Sequence, residues 1–134
     1  MVLTEAMNPD MFEIPPNSNW TCNGITNAEY PQRVMITISQ GLHRPEVHIM
    51  EGQGEGMSMK VDGGTDKLQV DPDPYPRHCT LRFQFQENGN WQDARVWDER
   101  LYDEQHGGRF TARTEDYGDG DRNDTVFTAQ MSYG

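Results

Sequence analysis

The sequence predicts an all-β fold, an antiparallel β-sandwich of about nine strands. Three observations predict it. Apolar and polar residues alternate with period two along most of the chain. Clusters of Gly, Pro, Asn and Asp punctuate those runs at short intervals. No window carries an apolar stripe at helical spacing. The chain of 134 residues reads as a single domain, 1–134, long enough to bury a core without disulfides or metal merely to fold.

Taken in chain order, Val34–Ile38 and Glu46–Met50 read as strands, followed by Met57–Val61 and Lys67–Val70. The clearest is Thr80–Gln86, with Leu81, Phe83 and Phe85 on one face and polar residues on the other. Arg95–Trp97, Arg109–Arg113 and Thr125–Met131 complete the set. Turn signals separate them: Pro15-Pro16-Asn17, Gly52 to Gly56, Asp62-Gly63-Gly64, Asp71-Pro72-Asp73-Pro74 and Gly107-Gly108. Glu87-Asn88-Gly89-Asn90 predicts a tight hairpin, because Asn-Gly accepts the positive φ of a primed turn. The segment from Gly52 to Pro76 reads as extended hairpin loops.

Composition narrows the function classes. With 22 acidic against 11 basic residues the formal net charge is −11, and mean hydropathy is −0.90. Phosphate recognition needs a basic footprint, so no nucleic-acid partner is expected. No apolar run approaches the ~20 residues that span a bilayer, so no membrane insertion is expected. The N-terminal segment Met1–Met7 has neither a basic n-region nor an apolar h-region. The expectation is synthesis in the cytoplasm, with release by a non-classical route or association with the cell surface.

Cys22 shares strand parity with Trp20, and Cys79 with Leu81, Phe83 and Phe85. Facing a common core, they either pair or remain two buried thiols; the sequence leaves both open. Trp20, Trp91 and Trp97 are expected in the core rather than in a site, and the four histidines share no ligand spacing.

The informative segment is Glu115-Asp116-Tyr117-Gly118-Asp119-Gly120-Asp121-Arg122-Asn123-Asp124, between two strands. Apposed carboxylates repel by roughly 1 kcal/mol per pair in water at ~4 Å, and more where solvent is excluded. A loop that keeps so many calls for a countercharge. Oxygen donors without His or Cys, on a glycine-containing loop, favour calcium over magnesium. An EF-hand does not fit: counted from Asp119, its sixth and twelfth positions hold Asp124 and Gln130 rather than Gly and Glu. Repeat-toxin motifs are tandem, and this segment occurs once. A solvated acidic turn, or a single calcium stapling the loop, fits the loop alone as well.

The spacing Glu115-Asp116, Asp119, Asp121, Asn123-Asp124 and a chain end at Gly134 resembles the C-terminus of the two-calcium bacterial lectins that bind fucose and mannose, the Pseudomonas lectin-II type. Phe12-Glu13-Ile14-Pro15-Pro16-Asn17, Trp20 and Asn27 resemble that family's first strands and its calcium-binding Asn. Between roughly Gly41 and Arg109 the match is one of strand pattern only.

The resemblance implies two Ca2+ per site. Glu115, Asp119, Asp121 and Asp124 would hold one ion, and Asn27, Asp121, Asn123 and Asp124 the other. The carboxylate of Gly134 would come from a neighbouring subunit, making a homodimer with a shared C-terminus the minimum assembly and a tetramer compatible with it. Four loop carboxylates and one terminus bring about five negative charges against four positive, close to neutrality. Asp116, Asp119, Asp121, Asp124 and Gly134 would contact the sugar, with Ala28 and Glu29 beside it. In this family the residues after the calcium-binding Asn set specificity. Ala28, where fucose-preferring members carry Ser, implies that mannose-type glycans are preferred over fucose; Glu29 and Tyr30 depart from the pattern. No nucleophile–base pair is present, so a binding protein is expected rather than an enzyme. The rival is a structural or adhesin-like β-sandwich that calcium stabilises without sugar.

Overall fold

The computed structural model describes residues 3–40, 44–103, 107–115 and 124–133. Among these there are eleven strands: β1 Thr4–Ala6, β2 Asp10–Ile14, β3 Ser18–Ser39, β4 Glu46–Ser58, β5 Lys60–Val61, β6 Leu68–Val70, β7 Arg77–Glu87, β8 Asn90–Asp93, β9 Arg95–Asp103, β10 Gly107–Glu115 and β11 Thr125–Tyr133. Every pairing between them is antiparallel. The all-β sandwich expected from the alternation is therefore present. The excess over about nine strands includes short edge elements such as β1 and β5, which are too brief to register as periodic runs.

The organising element is β3, 22 residues long. Its first half, Ser18–Thr26, lies beside β11, and through β11 joins β10, β9 and β1. Its second half, Gln32–Ser39, lies between β7 and β4. The register with β4 shifts between Thr26 and Asn27 and again between Ala28 and Gln32, so β3 passes from one layer to the other across Asn27–Gln32.

Alternation dictates what lies between the layers. Trp20 and Cys22, then Val34, Ile36 and Ile38, are inward and buried on β3, as are Cys79, Leu81, Phe83 and Phe85 on β7 and Phe127, Ala129 and Met131 on β11. Rings from strands that share no hydrogen bonds meet across this space. Phe83 is edge-on to Phe127 at 6.1 Å, and Phe12 of β2 stacks on Phe110 of β10 at 5.0 Å. Cys22 and Cys79 are both free and buried, and burial pushes the Cys22 thiol up to about 12. Trp20 and Trp97 are buried as expected, whereas Trp91 is half-buried beneath the Arg33 guanidinium, 4.1 Å from its ring centre.

The hairpin at Asn88-Gly89 forms as the sequence predicts: Glu87 pairs with Asn90, and the two central residues have φ of 52° and 79°. Two other readings need correction. Gly52 to Gly56 is not a turn but part of β4, and the expected loop from Gly52 to Pro76 is shortened by it and interrupted by β5 and β6. Gly54 and Gly56 carry positive φ there, which lets β4 follow the irregular stretch of β3 while staying paired. Gly107-Gly108 likewise opens β10 instead of forming a turn, pairing with Asp103 and Tyr102.

Candidate functional site

Four inward rows end in polar residues at the same place. On β3 the row Trp20, Cys22, Gly24 ends at Thr26, and the row Ile38, Ile36, Val34 ends at Gln32. On β10 the row Phe110, Ala112 ends at Thr114, and on β11 the row Met131, Ala129, Phe127 ends at Thr125. All four polar residues are buried. Buried hydroxyls and amides need partners. The Thr125 N–H donates to Thr114 Oγ1 at 3.0 Å, and the Thr125 hydroxyl donates to Gln32 Oε1 at 2.9 Å. The Thr26 hydroxyl donates to the Gly54 carbonyl at 2.9 Å. These side chains form a polar floor at one end of the sandwich.

The ligand candidates among the described residues stand on this floor. Glu115 ends β10 and Asp124 immediately precedes β11, one at each end of the segment 116–123. Both are buried, at 6% and 3% exposure. The Asp124 N–H donates to the Thr114 carbonyl at 3.1 Å, and the Asn27 N–H donates to the Asp124 carbonyl at 3.0 Å. Asn27 Oδ1 accepts from the Gly56 N–H at 3.0 Å. Glu115 faces Arg95 in register, and its charge helps to raise that guanidinium, though Glu5 raises it more.

Three of the seven predicted metal ligands are thus described, and all three belong to this end of the sandwich: Asn27, Glu115 and Asp124. Asp119, Asp121, Asn123 and Gly134 lie outside the described residues, as does the predicted sugar contact Asp116. Among the described residues no group of three His, Cys, Asp or Glu side chains is gathered as a metal site. The donors that are placed suit a hard cation. They are two buried carboxylates and one amide oxygen, the hard oxygen donors that calcium takes.

The specificity positions follow directly on β3. Ala28 is half-buried and pairs with Gly54, while Glu29 is exposed and its carbonyl accepts from Gln53 Nε2 at 2.6 Å. Tyr30 is half-buried, its ring centre 6.2 Å from that of Phe85. The polar floor of Thr26, Gln32, Thr114 and Thr125 was not singled out from sequence. Its signal was present: each is a hydrogen-bonding residue on an otherwise apolar inward row.

Comparisons with known proteins bear on the fold and the family. The family model for fucose-binding lectin II (PA-IIL) matches residues 12–132. No curated protein sequence matches the chain. Among solved structures it is similar to the Chromobacterium violaceum lectin CV2L in complex with α-methyl-fucoside. The TM-score is 0.65 at 18% identity, covering 96% of this chain and 100% of that one. It is also similar to the C-terminal domain of the BC2L-C lectin from Burkholderia cenocepacia, with a TM-score of 0.61 at 18% identity over 98% of this chain and 100% of that one. A high-affinity mannose-binding lectin from Ralstonia solanacearum gives a TM-score of 0.60 at 17% identity, over 92% of this chain and 96% of that one. At these identities the structures show a shared fold. The family match spans nearly the whole sandwich, from β2 to β11, and on that ground the chain belongs to the fucose-binding lectin II family.

Proposed function

We propose that this chain is a calcium-dependent lectin that binds mannose- and fucose-type glycans through two calcium ions, prefers the mannose type, and catalyses no reaction. The observation that carries the reading is the link from Asn27 to Asp124. It ties the bend of β3 to the end of an acidic segment whose flanking carboxylates, Glu115 and Asp124, are both buried.

In this reading Glu115, Asp119, Asp121 and Asp124 hold one ion, and Asn27, Asp121, Asn123 and Asp124 the other, with the partner subunit's Gly134 completing the set. Bound calcium supplies the countercharge for the carboxylates and open coordination positions that two adjacent sugar hydroxyls can fill. The protein's own part is to orient. Asp116, Asp119, Asp121, Asp124 and the terminal carboxylate accept hydrogen bonds from the sugar, and charge-assisted bonds of this kind are about twice as strong as neutral ones. Ala28 and Glu29 border the sugar. The polar floor fixes where Glu115 and Asp124, the two ends of the acidic segment, stand.

The chain acts as one domain, 1–134. The shared terminus makes a two-fold homodimer the smallest complete assembly, and a tetramer adds valency on glycan-coated surfaces. Thermal unfolding tests the reading. Calcium should raise the midpoint, and methyl α-mannoside should raise it further only when calcium is present. A rise with calcium and none with methyl α-mannoside or methyl α-fucoside would leave a calcium-stabilised module and refute the lectin.

A further inference from the structure

Two of the methionines around β4, Met50 and Met59, are fully buried, whereas Met57 of β4 is 53% exposed. The core therefore uses the first two and leaves the third open to solvent. A lone exposed apolar side chain carries no message by itself. The surroundings of Met57 do.

Met57 is the register partner of Thr26, and partners across an antiparallel ladder project to the same side, so it shares a side with the polar floor. The Thr26 hydroxyl, bonded to the Gly54 carbonyl, also lies 3.4 Å from the Met57 carbonyl. The next pair along is Asn27 with Glu55, which makes Gly56 the extra residue of a bulge. The Gly56 N–H is the one that Asn27 Oδ1 accepts, so Met57 directly follows the residue bound to Asn27. Met57 also reaches Gly54: a Cβ on that glycine would come within 3.1 Å of Met57 Cγ. Gly54 in turn pairs with Ala28. The missing side chain at position 54 is thus what gives Met57 its room, across the ladder from Ala28.

Apart from Ala28, the groups assigned to the sugar in the lectin reading offer carboxylates, and calcium takes hydroxyls. Neither suits the part of a ligand that lacks oxygen. A mannose-type hexose presents hydroxyls around its ring, and its largest apolar portion is the group linked at the anomeric carbon. A flexible, polarisable thioether adapts to alkyl and aryl shapes alike. We propose that Met57 is a specificity-determining residue of the sugar site, an apolar wall that packs against the aglycone of a bound mannoside and selects glycosides with an alkyl or aryl substituent. The proposal rests on the lectin reading and names the ligand class for that same site.

Titration calorimetry on the full chain in calcium tests it, with methyl, hexyl and phenyl α-mannoside as probes. Wild type should bind hexyl and phenyl α-mannoside at least about fourfold tighter than the methyl glycoside, the scale of one buried methylene group. Met57→Ser should bring that ratio to about one, and Met57→Leu, which restores an apolar side chain, should keep most of it. A ratio of one in wild type, or an undiminished ratio in Met57→Ser, would overturn the proposal and spare the lectin. A fall in calcium affinity in Met57→Ser, measured without sugar and accompanying the lost ratio, would make Met57 a prop for β4 and overturn it too. A wild type that binds neither methyl α-mannoside nor methyl α-fucoside would refute the lectin reading itself, and the proposal with it.

Discussion

The backbone N–H of Asn27 donates to the carbonyl of Asp124 at 3.0 Å, although the two residues are almost a hundred positions apart. This bond joins the bend of β3 to the last residue before β11. With Asn27 Oδ1 holding the Gly56 N–H, it places three backbone segments around one point. Asn27→Ala should therefore lower calcium affinity at least tenfold while costing only about 1 kcal/mol of metal-free stability, the ordinary value of one side-chain hydrogen bond. Calcium titration and urea unfolding in chelator separate the two effects; a metal-free loss equal to the whole effect would make Asn27 purely structural.

The buried pair Thr125 and Gln32 makes a second prediction. The hydroxyl-to-amide bond of 2.9 Å lies between two residues with almost no exposure. Removing one partner strands the other, so Thr125→Val and Gln32→Leu should each cost about 1–3 kcal/mol. The double variant should cost clearly less than the sum. Additive losses in a double-mutant cycle would mean that the bond contributes nothing specific.

The third concerns pH and a carboxyl remote from the proposed site. Asp10, 7% exposed, has its carboxyl pushed up to about 7, first by burial and next by its hydrogen bond with Asp98. Arg100 reaches both groups, at 3.2 Å and 3.3 Å, and only partly opposes the shift. The folded chain thus binds this proton more tightly than the unfolded one, whose carboxyl titrates at its ordinary value of 3.8. The contribution to stability is full below about pH 4 and is lost as pH rises to about 7. Asp10→Asn, which stays neutral, should abolish that slope and raise stability at pH 8 by about 1–3 kcal/mol relative to wild type. Urea midpoints of both proteins at pH 5 and pH 8 check this. A variant less stable at pH 8 would mean that the Arg100 pair outweighs the burial of charge.

Gly107 supplies the fourth. Its φ is 90°, and a Cβ there would run into the Met131 carbonyl oxygen. Both strain and collision oppose a side chain, and the colliding atom is backbone that belongs to β11. Gly107→Ala should cost about 2–4 kcal/mol, read as a lower urea midpoint with unchanged slope. A loss below 0.5 kcal/mol (about the effect of a neutral surface change) would contradict the close approach of β10 and β11.

The fold was largely legible because alternation is a local signal. Phe83 and Phe85, or Phe127 and Ala129, declare their inward face to any reader of period two, and Asn88-Gly89 declares its turn. Gly52 to Gly56 misled for a related reason. Glycine marks turns, yet here its positive φ serves a strand that must follow an irregular partner, and the partner is distant in sequence. The site was legible in part. Acidic spacing and family resemblance nominated Asn27, Glu115 and Asp124 as ligands, and the fold brings these three to one end of the sandwich. The floor beneath them was not read, since a single Thr or Gln ending an apolar row is unremarkable until four such rows are seen to converge.

The course of β3 has a mechanical consequence. Because one unbroken strand belongs to both layers and shifts register beside Asn27, the proposed recognition surface draws on both sheets at once. Partial melting of one layer would dismantle it at once. On the proposed function, ligand capture and global integrity would accordingly be lost together.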